Sequence, residues 1–145
     1  MKFIGKSSGK SMLPIINPGD KLFIEETNIK SLKIGEIIVF YDKGKLISHR
    51  IIKKRNGRII AKGDNSPFPD KKMISNEIFG RVVKITGKKG YIDLRTQKAN
   101  LLKYVFLFYS VISGYLPLLV YKILTKILRG RKFMVEVMKE RSNDN

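Results

Sequence analysis

Ser11, His49, Asp64 and Asp70 carry the types of side chain that perform covalent chemistry, and each lies in a segment rich in backbone-restricting or strand-forming neighbours. His49 is the one histidine in 145 residues, and there is no cysteine. Those two counts remove disulfide frameworks, thiolate and multi-histidine zinc sites, iron–sulfur clusters and a cysteine nucleophile, so no cofactor or metal is expected. An ordinary imidazole titrates near ~6.5, which suits it to take a proton around neutral pH. In the stretch Leu46–Lys53 (LISHRIIK), strand alternation sets Ile47, His49 and Ile51 on one face and Ser48, Arg50 and Ile52 on the other. A histidine between two isoleucines is half-buried, either as a core imidazole bonded to a backbone carbonyl or as a general base.

A base needs a nucleophile. Ser11 stands in Gly9-Lys10-Ser11-Met12-Leu13-Pro14, followed by Asn17-Pro18-Gly19-Asp20. Gly9 and Pro14 favour a non-repetitive backbone around it, so that its hydroxyl and amide can face a cleft together. Ser7 and Ser8 compete, and composition alone does not separate the three. The remaining part is a carboxylate to fix the imidazole tautomer and stabilise the imidazolium. Lys62–Asp70 (KGDNSPFPD) offers Asp64 and Asp70 in a loop restricted by Gly63, Pro67 and Pro69. Asp64-Asn65 also suits an Asx-type turn.

The elements that must position these residues read as short strands. Lys21–Glu25, Glu36–Tyr41, Leu46–Lys53, Arg58–Lys62 and Ile78–Ile85 are rich in Ile, Val and Phe, and Pro18-Gly19-Asp20, Asp42-Lys43-Gly44, Asn56-Gly57 and the segment 65–69 punctuate them. Asn56-Gly57 between two Ile-rich runs is a strong hairpin signal, because both residues accept positive φ. Regularly spaced strands with little helix predict a mainly β fold, a small curled antiparallel sheet or barrel-like domain, followed by a C-terminal hydrophobic helical segment.

That last segment is the sharpest change along the chain. Tyr104 to Tyr121 has no charged residue, and its 18 residues would make roughly 27 Å of helix, close to the hydrocarbon thickness of a bilayer. Tyrosines end the run and Lys103 and Lys122 flank it, as interfacial anchors do. Pro117 also suits the start of a second helix, on which Lys122, Lys126 and Arg129 form one basic stripe. The expected division is a β-domain over 1–100, a membrane-associating helix or helical hairpin over 101–130 and a polar tail over 131–145. The stretch before Ser11 has only Phe3 and Ile4 as adjacent large apolar residues, too few for a signal-peptide core. The formal charge of +18 implies an anionic partner, and with the apolar segment this becomes an anionic membrane surface.

In order and spacing these segments resemble the type I signal peptidases, in their archaeal and endoplasmic-reticulum branch. The resemblance covers about residues 9–85. It rests on Gly-x-Ser-Met-x-Pro at 9–14 with the following Pro18-Gly19-Asp20, Ile-Gly-Glu-Ile-Ile at 34–38, His-Arg-Ile at 49–51, and Lys-Gly-Asp-Asn at 62–65 followed by an acid. The resemblance implies a serine endopeptidase that removes N-terminal signal peptides from exported precursors through an acyl-enzyme. Ser11 would be the nucleophile and His49 the general base, where bacterial housekeeping relatives use Lys. Asp70 matches the family's acid, and Asp64 would be a structural or supporting one. Also implied are an extended precursor with small residues near the cleavage site, paired with an exposed strand, and a membrane-associated protein whose catalytic domain is extracytoplasmic. Members usually carry a span just before the serine box, whereas the apolar segment here is C-terminal.

Two other classes compete with this reading. A Ser–Lys self-cleaving repressor-type peptidase would need a lysine base, for which Lys53 and Lys54 are the candidates. A non-catalytic basic module on lipid or nucleic acid would also account for the charge. The aromatic residues cluster in 104–121 and do not interleave with Lys and Arg as base-stacking platforms would, so no nucleic-acid partner is expected.

Overall fold

The computed structural model describes residues 2–70, 72–73, 78–88 and 90–113. Its strands are β1 (Lys2–Lys6), β2 (Lys21–Glu25), β3 (Ile37–Asp42), β4 (Lys45–Arg55), β5 (Arg58–Lys62), β6 (Lys72–Met73), β7 (Ile78–Gly87) and β8 (Gly90–Asp93), followed by one helix, α1 (Gln97–Ser113). They form a single antiparallel sheet in the order β1-β2-β7-β3-β4-β5-β6, with β8 added beside β7. The predicted mainly β architecture holds, as an open curled sheet. The five strands anticipated from Ile/Val/Phe runs all occur. The short strands β1, β6 and β8 lack that signal; β1 is an edge strand whose residues are exposed or half-buried.

Turn chemistry fixes the registers. Asn56 and Gly57 have φ of 49° and 69°, and Arg55 faces Arg58 across a two-residue turn. Lys43 and Gly44, at 47° and 75°, do the same between Asp42 and Lys45. Register shifts at Phe23/Ile24, Val39/Phe40 and Ile51/Lys53 add the local bends that curl the sheet. β7 joins the two halves, pairing β2 along one edge and β3 then β8 along the other.

Two apolar clusters result. Met12, Ile15, Ile16, Leu22, Ile24, Ile37, Val39, Val82, Ile85, Ile92 and Phe106 make one; Leu32, Ile38, Phe40, Ile51, Ile59 and Ala61 make the other. The first draws Met12, Ile15 and Ile16 from the loop that carries Ser11, and Phe106 from α1. The helix starts at Thr96, whose hydroxyl accepts from the Ala99 amide, and packs Ala99, Leu102 and Phe106 inward. Among the described residues no helix is long and apolar enough to cross a membrane. The rest of the expected C-terminal segment, from 114 on, lies outside the described residues.

Lys62 ties α1 to the sheet. Its side chain is 1 % exposed, and its ammonium donates to the Ser110 carbonyl and, at 3.4 Å, to the Ser110 hydroxyl. Burial pushes Lys62 down from the usual lysine range to about 8, against the opposing pull of Asp64 and Asp70. The folded protein therefore holds this proton less tightly than the unfolded chain. Below pH ~8 the ammonium is charged in both states and its full burial cost is present; the cost fades as pH rises toward ~10.5. We expect the melting temperature of the native chain, relative to Lys62→Met, to rise between pH 7.5 and 10. Parallel melting curves for the two proteins across that range would contradict this account of Lys62.

Candidate active site

The loop between β1 and β2 is closed at its base like an extra ladder rung. The Ser7 amide donates to the Asp20 carbonyl at 2.8 Å and the Gly19 amide to the Ser7 carbonyl at 2.7 Å. The Asp20 carboxylate accepts from the Asn17 amide at 2.8 Å, which shapes the turn at Pro18-Gly19. Beyond the base, the Ile15 and Ile16 amides both donate to the Met12 carbonyl, and those three side chains are buried. Ser11 is thereby held, half-buried, on a shoulder pinned from below by Met12. Of its competitors, Ser7 is committed through its backbone to the loop base and Ser8 is exposed.

His49 sits in the first half of β4, opposite Ile38 of β3. It is 7 % exposed, with the Phe40 ring edge-on to the imidazole at 6.0 Å between centroids. Its Nδ1 is paired with Oδ2 of Asp70. Asp70 is brought there because the chain returns along β5: the Asp70 amide donates to the Ala61 carbonyl at 2.8 Å. A carboxylate on Nδ1 fixes the tautomer that leaves Nε2 free to accept a proton. His49 Nε2 is buried and has no hydrogen-bond partner among the described residues.

Gly63 shows what Nε2 faces. A Cβ on Gly63 would lie 2.6 Å from Ser66 Oγ, 2.7 Å from the Ser11 carbonyl oxygen and 3.0 Å from His49 Nε2. The serine shoulder, the open imidazole nitrogen and Ser66 thus converge on a space that exists only because residue 63 has no side chain. The same loop is sewn to the shoulder: the Asn65 amide donates to the Ser11 carbonyl at 2.7 Å, and Asn65 Nδ2 to the Lys10 carbonyl at 3.1 Å.

Asp64 faces away from His49 and serves Arg50. Arg50 Nε and Nη2 donate to its two carboxylate oxygens at 2.8 and 2.6 Å, and Nη1 donates to the Gly35 carbonyl at 2.8 Å. Both side chains are buried, at 2 % and 0 % exposure. Of the four residues singled out in the sequence, the structure brings Ser11, His49 and Asp70 to one place and sets Asp64 behind them. Arg50, Lys62, Gly63 and Ser66 belong to the same assembly and were not singled out. The available signal was charge in the wrong place: Arg50 and Lys62 interrupt or end Ile-rich strands, where an unpaired charge would be costly.

The lysines proposed for a Ser–Lys arrangement lie elsewhere. Lys54 Nζ donates to the Lys30 and Leu32 carbonyls at 2.9 and 2.7 Å, and Lys53 is exposed. A cleft of about 550 Å³ between α1 and the sheet is lined by Ile15, Gly35, Arg50, Val82, Ile92 and Phe106 among others, and includes none of Ser11, His49 and Asp70. His49 instead directly follows a stretch of β4 that is paired on one edge only among the described strands. β3 pairs with β4 from Lys45 onward, whereas β5 joins β4 only from Arg50, so among the described strands the second edge of Leu46–Ser48 has no partner.

The close approach at Gly63 gives a direct check. Because the chain has one histidine, the imidazole Hε1 proton is a single, unambiguous NMR signal. Gly63→Ala is expected to move that signal and to lower stability by about 1–3 kcal/mol, the usual cost of overpacking. An unchanged resonance with an unchanged melting temperature would show that the three groups do not converge there.

A serine shoulder and an imidazole oriented by a carboxylate, beside a strand edge unpaired among the described residues, are compatible with a serine peptidase. The family model described as Peptidase S24-like matches residues 2–83, a span that contains Ser11, His49 and Asp70 and runs from β1 into β7. The chain belongs to the Peptidase S24-like family, serine-peptidase-like hydrolases of the superfamily that takes in self-cleaving repressors and signal peptidases.

Proposed function

We propose that this protein is a serine endopeptidase that removes N-terminal leader peptides from exported precursors, with Ser11 as nucleophile, His49 as general base and Asp70 as the residue that orients the imidazole. The observation that carries the reading is the pairing of His49 Nδ1 with Asp70 while the buried Nε2, free of any partner among the described residues, faces the Ser11 shoulder across Gly63. In this reading Nε2 takes the Ser11 hydroxyl proton as the oxygen attacks the scissile carbonyl. The oxyanion is held by the Ser11 amide with a neighbouring donor. The imidazolium then protonates the leaving amine, and water, activated by the same nitrogen, hydrolyses the acyl-enzyme.

The substrate follows from the strand edge. An extended peptide added along Leu46–Ser48 would run directly up to His49, with main-chain hydrogen bonds supplying position and alternate side chains entering shallow pockets. That geometry suits a flexible leader with small residues near the cleavage site. The imidazole base favours leader removal over the Ser–Lys self-cleaving alternative, because Lys54 is held by the 30–32 loop and Lys62 by α1. The membrane setting rests on the apolar run 104–121 and the positive charge.

Full-length protein reconstituted with a secretory precursor is expected to cut after a small residue. Ser11→Ala and His49→Ala should each lower the rate by at least about 10⁴-fold, and Asp70→Asn by a comparable factor through loss of the correct tautomer. Cleavage retained in Ser11→Ala would remove the serine mechanism; retained in His49→Ala, it would remove the imidazole base. Self-cleavage of the chain with the precursor untouched would favour the repressor-type reading.

A further inference from the structure

α1 has two apolar faces, and only one is used by the domain. Ala99, Phe106 and Ser110 are buried, and Leu102 packs on the same core. Leu101, Tyr104, Val105 and Phe108, at spacings i, i+3, i+4 and i+7, form an outward stripe, with exposures of 71, 60, 54 and 69 %. Scattered exposed apolar residues are ordinary on a protein surface, but a continuous stripe of large ones marks a surface that meets something.

The charges around the stripe point to its occupant. α1 contains no acidic residue; of its two charged side chains Lys98 borders the stripe, while the half-buried Lys103 runs its stem past Gly35 on the domain side. Lys98, exposed, precedes Leu101 by three positions on the same face, and Lys103 Nζ lies 5.1 Å from the Tyr104 ring centroid. In the sequence no Asp or Glu occurs between Asp93 and Glu136, while eight Lys or Arg do. Leu, Phe and Tyr bordered by Lys, with no acid, is the composition of a segment lying at a negatively charged lipid surface.

We propose that the outward stripe of α1 seats in the interfacial layer of an anionic bilayer, with the helix lying along the membrane surface and not crossing it. The inner face dictates this orientation. Phe106 covers the Arg50 guanidinium at 5.5 Å, and Ser110 holds the Lys62 ammonium. A helix that crossed the hydrocarbon would either leave those buried charges without their cover or carry them into lipid, and both are unfavourable. Lying flat, α1 keeps its inner contacts and buries Leu101, Tyr104, Val105 and Phe108 at the depth where aromatic and lysine side chains are stable. This placement deepens the proposed membrane setting and is independent of whether Ser11 and His49 catalyse anything.

The chain has no tryptophan, so Phe108→Trp in the full chain provides a single local reporter, and Tyr104→Trp a second should the first perturb folding. With vesicles of phosphatidylcholine and phosphatidylglycerol, the emission is expected to shift to the blue. Lipids brominated near the headgroup end of the chain should quench it more than lipids brominated near the methyl end. The shift should shrink in phosphatidylcholine alone and in high salt, and disappear when Leu101→Glu and Val105→Glu are added. Emission unchanged by vesicles that nonetheless bind the chain would mean that the stripe meets a protein or water. Stronger quenching from the methyl end would mean that α1 crosses the bilayer. Either result overturns the proposal, and neither bears on precursor cleavage.

Discussion

Arg50 and Asp64 are charges removed almost completely from water, and the positions of the other site residues follow from how that pair is satisfied. A buried guanidinium is tolerated only when its donors are used, and here three of them are, two by Asp64 and one by the Gly35 carbonyl. Removing one partner of such a pair characteristically costs about 3–5 kcal/mol, because the other is left buried and unpaired. The pair thereby locks three pieces of chain together: β4, the turn before β3, and the loop that follows β5. His49 precedes Arg50 and so points to the opposite side of β4. Gly63 precedes Asp64 and so passes beneath His49 and Ser11. The ion pair performs no chemistry, yet it sets the register in which Asp70 meets Nδ1 and the serine shoulder meets Nε2.

Lys62 adds a second buried cation on the next strand, and α1 supplies hydrogen-bond acceptors to it. Its ammonium on the Ser110 carbonyl, together with Phe106 over Arg50, makes α1 part of the layer that covers the ion pair. Asp64 and Asp70 are both close enough to favour its charged form. The back of the site is thus a small network of two cations and two carboxylates closed off by a helix, while Leu46–Ser48, beside His49, has one strand edge unpaired among the described residues.

Much of this was legible in the sequence because local rules govern it. The Asn56-Gly57 turn, the five Ile/Val/Phe-rich strands and the loops around Pro18-Gly19 and Pro67–Pro69 follow from φ preferences and β-branching, which act over a few residues. The four ordered boxes around Ser11, Ile34–Ile38, His49 and Lys62–Asn65 pointed to a serine-peptidase-like hydrolase, the level at which the family match agrees. Spacing and composition alone did not separate the two acids; the resemblance assigned Asp70 to the imidazole and Asp64 to a supporting role, and the structure pairs them with His49 and Arg50 respectively. Asp64 and Asp70 are six residues apart in one loop, and only the return of the chain along β5 decides that Asp70 reaches the imidazole while Asp64 reaches Arg50. Nor could alternation alone show that both faces of β4 are buried at His49 and Arg50, since one face is covered by α1, some fifty residues later. Ser66 was passed over because a serine before proline in a loop carries no signal of its own.

The central claim is that His49, oriented by Asp70, makes Ser11 a nucleophile. Its most direct measurement is the rate and site of acylation by a serine-directed fluorophosphonate, read by intact mass and peptide mapping, without any assumption about the substrate. The account predicts one adduct per chain, on Ser11, formed at a rate that falls by orders of magnitude in His49→Ala. An adduct on Ser66, Ser7 or Ser8, or labelling of Ser11 at an undiminished rate in His49→Ala, would contradict it.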